Sequence, residues 1–199
     1  MPNVKRCHLN NFSFSHTPEF RDWMLASIRH KFIRAMRIHV SGDFYNLPYI
    51  EKWQQIVKVA AATKFFGYTR SWRQEELLPD LIRLSQLPNM QLWWSIDRET
   101  GPAPLVQGIR RAYMAIDDVD ADLAPNDCDL VFRDQRMTVI KKANGVQVCP
   151  VEDGVTRQVK ITCSSCGICW DRNALPTWQR DLKLYLTDES EELVAPEAA

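Results

Sequence analysis

The chain of 199 residues has no net charge, because Lys and Arg number 25 and Asp and Glu also number 25. A whole-surface attraction to nucleic acid or to an anionic membrane is therefore not supported, although a local basic groove is left open. No apolar run approaches the roughly 20 residues that a membrane-spanning helix needs. The first 30 residues are studded with polar and charged side chains. The expectation is a soluble, cytoplasmic protein with no membrane partner. No Gly-x-Gly-x-x-Gly and no Walker loop occurs, which leaves dinucleotides and nucleoside triphosphates without support. A Gly-x-Ser-x-Gly elbow is missing too, and His39 falls inside an expected strand, so a Ser-His hydrolase has no footing.

What the chain does have is a concentration of cysteine. Four of its six cysteines fall in Cys149-Pro150 and in Cys163-Ser-Ser-Cys166-Gly-Ile-Cys169-Trp170. Three thiols separated by two residues each can turn inward on one tight loop, and a fourth from a remote Cys-Pro completes a tetrahedral set. This pattern resembles the ferredoxin ligand run, in which the fourth cysteine is also followed by proline, here displaced to the N-terminal side. Zinc ribbons and knuckles more often carry two separated Cys-x-x-Cys pairs. A continuous triple with a lone partner therefore tilts the choice toward iron and sulfide, with zinc kept as the alternative. In a reducing compartment such a set reads as metal ligands rather than disulfides. The expected cofactor is a [4Fe-4S] cluster on Cys149, Cys163, Cys166 and Cys169. Cys128 and Cys7, the latter with His8 and His16 nearby, have no specific spacing and are read as outside this set.

A hydrophobic content of 45% supplies a sizeable core for one domain, or one domain with a small appendage. Residues 1–16 show no clear period. Thr17-Pro18-Glu19 reads as an N-cap, a first-turn proline and a first-turn acid. They open a helix from about Pro18 to Arg34, with Phe20, Trp23, Ser27 and Ile28 on or near one face. Arg37 to Asp43 reads as a buried strand with a polar end. Asn46, Pro48 and Glu51 then open a helix whose apolar stripe is Ile50, Trp53, Val57 and Ala60. Lys64 to Ser71 is a second strand. A helix around Leu77 to Leu87, with Pro79 in its first turn, leads to a third strand from Gln91 to Asp97. From Arg37 to Lys64 is 27 residues, and from Lys64 to Gln91 is 27 again, the spacing of successive βα units in a parallel sheet. Arg111 to Asp117 and Asp129 to Arg133 continue the strand series. Met137 to Lys142 and Val146 to Cys149, around Asn144-Gly145, read as a hairpin that delivers Cys149 to the metal loop. Asp181 to Leu186 is expected to form a short closing element, and the Glu-rich end a disordered tail.

Ligands of parallel α/β sheets sit at the carboxyl ends of the strands. Ser41 and Asp43, Thr69, Arg70 and Ser71, Ser95 and Asp97, and Asp117 are expected to converge on one such rim. Asp43 and Asp97 facing Arg70 can hold a cation or a small polar ligand, or exchange protons if burial separates their pKa values. The plainer reading is that both aspartates cap the turns that follow and Arg70 pairs with one of them.

Arg37-Ile-His-Val-Ser-Gly-Asp-Phe-Tyr45, Tyr68-Thr-Arg-Ser-Trp72, Trp94-Ser-Ile-Asp-Arg-Glu-Thr-Gly-Pro102 and Cys149-Pro-Val-Glu152 with Cys163 to Trp170 carry a family resemblance. They resemble the phage- and plasmid-associated gene-product-88 family over about residues 30–170. The resemblance implies a mobile-element origin and little chemistry. Longer members carry another cysteine-rich segment upstream, where this chain has only Cys7, which implies a shortened member. In outline the βα repeat with cysteines is also similar to partial-barrel radical enzymes that cleave S-adenosylmethionine. Those need a Cys-x3-Cys-x2-Cys loop near the first strand and one iron left open, and neither condition is met. A cluster on four protein thiolates is closed, which suits structure or electron transfer better than substrate activation.

The fold expected is α/β, a partial barrel or open mostly parallel sheet from βα repeats, with a C-terminal cysteine-rich metal module. Residues 1–135 would form the repeat domain, 136–187 the hairpin and four-cysteine module, and 188–199 the tail. The expected function is that of an iron-sulfur cluster-binding protein whose reaction is not legible, a degenerate or accessory relative of the radical enzymes. An unknown small polar ligand would sit at Asp43, Arg70 and Asp97. The alternative is a zinc-stabilised, non-enzymatic protein of a mobile element that binds a partner or nucleic acid, with Arg70, Arg73, Arg110 and Arg111 as phosphate contacts.

Overall fold

A computed structural model describes residues 2–117, 120, 128–133, 148–149 and 162–171. Among them are five strands: β1 (Ala35–Arg37), β2 (Lys64–Thr69), β3 (Met90–Ile96), β4 (Arg110–Ala115) and β5 (Leu130–Arg133). The strands pair in the order in which they occur in the chain, and every pair is parallel. Lys64 lies opposite Ala35, Met90 opposite Phe65, Arg110 opposite Trp93, and Leu130 opposite Ala112. The result is an open, curled half-barrel sheet with helices, of the α/β class expected from the repeat.

This strand order decides what covers each face. Parallel neighbours need a crossover, crossovers are right-handed, and when every step moves the same way along the sheet they all fall on one side. Helices α3 (Leu47–Val59) and α4 (Leu78–Ser85) are such crossovers; α1 (Pro2–Ser15) and α2 (Phe20–His30) precede the sheet. Ile50, Trp53, Ile56 and Val57 of α3 and Leu81 and Leu84 of α4 share one core with Phe65, Leu92, Trp94 and Ile96. The alternate strand residues point the other way. Trp93, Ala112 and Leu130, with Tyr68 and Phe132, form a separate apolar layer that packs against Cys149, Cys166 and Ile168. Because both faces are covered, β3 is buried at every position except Ser95.

Local chemistry sets the element bounds. The Asn46 side chain accepts from Tyr49 N at 2.9 Å and Pro48 occupies the first turn, so α3 starts where its signals place it. Helix α2 is shorter than Pro18 to Arg34. Thr17 does not cap it: the hydroxyl is buried without a partner, and the first helical residue is Phe20. At the other end the chain leaves the helix through Phe32, whose φ is 49°. Trp23 is 58% exposed and rests edge-on against Phe14, leaving Phe20, Leu25 and Ile28 as the buried face. Helix α1 has no apolar stripe to reveal it. What holds it is contact with the loop after β1, where the Ser15 and Tyr45 hydroxyls meet at 2.6 Å and His16 stacks on Tyr45.

The first strand also departs from expectation. Arg37 to Asp43 was the expected span, but β1 is Ala35–Arg37 at the sheet edge, and the bond from Ile38 N to Phe66 O at 2.9 Å is the last before the chain turns away. His39 therefore lies just past the strand rather than inside it. Of the expected hairpin only Val148 and Cys149 fall within the described residues, where Val148 bridges Val131 in parallel and Cys149 N donates to Val131 O at 2.8 Å. The Asn144-Gly145 turn, the closing element, the tail and the boundary between residues 135 and 136 lie outside the described residues. Among the described residues no helix is long and apolar enough to cross a membrane.

Candidate metal centre on the second face of the sheet

The layer opposite the helices is an aromatic floor. Phe66 and Tyr68 come from β2, Trp93 from β3, Ala112 from β4, and Leu130 and Phe132 from β5. Tyr68 lies 5.6 Å from Trp93 and 5.3 Å from Phe132, ring centroid to ring centroid. Two cations lie over this floor: Arg37 is 5.0 Å from the Tyr68 ring and Arg110 is 5.4 Å from the Trp93 ring.

The cysteine turn sits on that floor for local reasons. Thr162 accepts from Ser165 N while Ser165 Oγ accepts from Thr162 N, a reciprocal cap that starts a single helical turn over Cys163–Cys166. Gly167 ends it at φ 73°, with its N–H donating to Cys163 O at 3.2 Å. A residue with a Cβ is strained in that left-handed conformation. The reversal sends Ile168 into the floor and brings Cys169 to β2 and β3. Tyr68 donates to Cys169 Sγ at 3.0 Å, Trp93 Nε1 to Cys169 O at 3.0 Å, and Arg110 Nη1 to Ile168 O at 3.0 Å. Trp170 then packs on Phe66 at 5.5 Å.

None of the six cysteines is joined in a disulfide, so the disulfide reading of the run does not hold. Cys149 and Cys166 are buried in the floor cluster, Cys169 is half-buried and Cys163 is exposed. Burial pushes the Cys166 thiol up, and nearby Cys163 adds to the effect. Burial also raises Cys169, against which the Tyr68 hydrogen bond acts, while Cys166 and Cys163 reinforce the rise and Arg37 opposes it. The Tyr68 hydroxyl is held far above its ordinary value, chiefly by burial, and feels both Cys169 and Cys149. Such thiols keep their protons until a cation displaces them. They share a face without converging on a point: among the described residues no group of three or more His, Cys, Asp or Glu is arranged to hold one metal ion. Cys128 lies in the helix-side core and Cys7 is exposed on α1.

The strand-end rim is assembled too. Asp43 accepts from Phe44 N at 2.7 Å, from the Thr69 hydroxyl and from Arg70 N at 2.6 Å, and Arg70 Nη2 pairs with Asp97. Asp97 also accepts from Glu99 N and Thr100 N, at 3.0 and 2.9 Å. Asp43, Arg70 and Asp97 thus meet through contacts with one another and with the turns they cap, the plainer of the two readings. An open cleft of about 590 Å3 beside them is lined by Asp43, Tyr45, Arg70, Ser71, Arg73 and Gln74, without Asp97. Ser71 bonds the Phe44 carbonyl, the Ser95 carbonyl accepts from Trp72, and Asp117 accepts from Asp120 N. The four arginines suggested as phosphate contacts do not form one surface. Arg70, paired with Asp97, and Arg73 line the cleft together, whereas Arg110 holds the cysteine turn and Arg111 follows it on a strand, where successive side chains diverge.

Tyr68, Trp93 and Arg37 were not among the expected site residues, and Arg110 was expected only as a phosphate contact. Their two-residue alternation along β2, β3 and β4 was visible, but nothing in one sequence says which face of a fully buried parallel strand meets the cysteines.

The fold and the site together define an α/β protein with a sequentially wound, all-parallel half-barrel whose second face carries a cysteine turn and, beside β5, Cys149. By sequence the chain belongs to the Gene product 88 family, whose profile matches residues 1–172, a wider span than the motifs alone indicated. No curated protein and no solved structure matches it.

Proposed function

We propose that the chain is an iron-sulfur protein in which Cys149, Cys163, Cys166 and Cys169 hold a [4Fe-4S] cluster against the aromatic floor. The observation that carries this reading is that two segments distant in sequence, Cys149 beside β5 and the Cys163–Cys166 turn with Cys169, meet on the same face with no disulfide between them. A cubane binds each thiolate to a different iron, so it does not demand the convergence that one tetrahedral zinc does. Four protein thiolates leave no iron open, which favours electron transfer or structural support over activation of a substrate. On the family resemblance we take it to be a mobile-element protein and, on the outline of its βα repeat, a degenerate or accessory relative of the radical enzymes, with the cleft at Asp43 and Arg70 as the place for a small polar ligand.

Anaerobically purified protein should be brown and contain about four iron and four sulfide per chain. Cys149→Ser should lose metal as completely as Cys166→Ser, because either leaves three ligands. Colourless protein with stoichiometric zinc, or a Cys149→Ser variant with full iron, would overturn this reading.

A further inference from the structure

We propose that Tyr68 is a positioning residue that sets the electron affinity at the Cys169 corner of the metal centre, an inference that rests on the iron-sulfur reading above. The Tyr68 hydroxyl donates to Cys169 Sγ at 3.0 Å, and the ring that carries it has little freedom to turn away. Trp93 and Phe132 pack on it, and Arg37 covers it with Nε held by the His39 carbonyl at 2.7 Å. On the main-chain side, Trp93 Nε1 donates to the Cys169 carbonyl at 3.0 Å. Both the sulfur and the backbone of Cys169 are thus tied to the sheet, one through β2 and the other through β3.

A donor fixed at a liganding sulfur stabilises the reduced state more than the oxidised one, because the sulfur carries more negative charge after electron uptake. When one electron is accepted from a one-electron donor, the charge of the centre becomes one unit more negative. No bond to Tyr68 forms or breaks, and its proton stays on the phenolic oxygen. Arg37, which forms no ion pair among the described residues, adds positive field on the same side.

Tyr68→Phe keeps the ring and removes only the hydroxyl. In the full chain, purified without oxygen, iron and sulfide per chain should match the unaltered protein. The midpoint potential in a dithionite titration should fall by about tenfold in the reduction equilibrium, which is about 59 mV for a one-electron couple. Arg37→Gln should move the potential in the same direction by less, and it serves as the test if Tyr68→Phe does not fold. Retained iron and sulfide with an unchanged potential overturns the role of Tyr68 and leaves the cluster reading standing. Absence of iron and sulfide from the unaltered protein overturns the cluster reading, and this inference with it.

Discussion

His39 is buried just beyond β1 with Nε2 3.0 Å from the Tyr49 hydroxyl, and burial lowers its pKa to about 4, against a smaller opposing pull from Asp43. The sign of the consequence follows from which state takes up the proton. The unfolded chain protonates this imidazole from about pH 6.5 downward, the folded chain only near pH 4. The stability it contributes is complete above that window and is lost as pH falls through it, by about 3 kcal/mol in all. Urea unfolding of the protein and of His39→Gln at a series of pH values should show this slope between pH 6.5 and 4 in the first and its absence in the second. Equal slopes would place the proton uptake elsewhere. At this scale the meeting of the rim residues was readable in advance: Asp43, Arg70 and Asp97 recur every 27 residues, each after one of β1, β2 and β3, although the strands themselves begin at the less regular positions Ala35, Lys64 and Met90. The partner of Cys169 was not readable, because a hydroxyl at Tyr68 looks the same in sequence whether it meets a thiol or solvent.

Among the elements, the single helical turn over Cys163–Cys166 depends most on one residue, since Gly167 at φ 73° both ends it and aims Cys169 at β2. Gly167→Ala should cost about 1 kcal/mol of local stability. On the proposed iron-sulfur reading, folding of this turn and metal binding would be linked, and that cost would correspond to roughly fivefold faster metal loss to a chelator. A variant that releases metal at the original rate would show that the centre holds the turn without help from its backbone geometry. The helices divide into legible and illegible for a physical reason. Helices α3 and α4 bury a stripe against the sheet, and that stripe is written in their sequence as a period. Helix α1 makes its contacts through Phe12, Phe14 and Ser15 near one end, with His16 just beyond it, and a helix held at one end writes no period.

For the molecule as a whole, the repeat spacing gave the parallel order, whereas the covering of the second face had to be seen. Sheet and helices share a core that does not include Cys149, Cys166 or Ile168. On the proposed iron-sulfur reading, removal of the metal should therefore release residues 148–149 and 162–171 while α3, β2, α4 and β3 keep their amide protection. Hydrogen exchange before and after oxidative loss of the centre tests this, and simultaneous opening of β2 and β3 would make the thiol segment part of the main core. The neighbour-to-neighbour strand order has a further effect, in time rather than in space. Each strand of the sheet pairs with the one synthesised just before it, so pairing can proceed as the chain emerges, with no wait for a distant partner. Tyr68 and Trp93 are then in position before Cys149 and Cys163 leave the ribosome, and the last thiols to appear meet a surface already built to receive them.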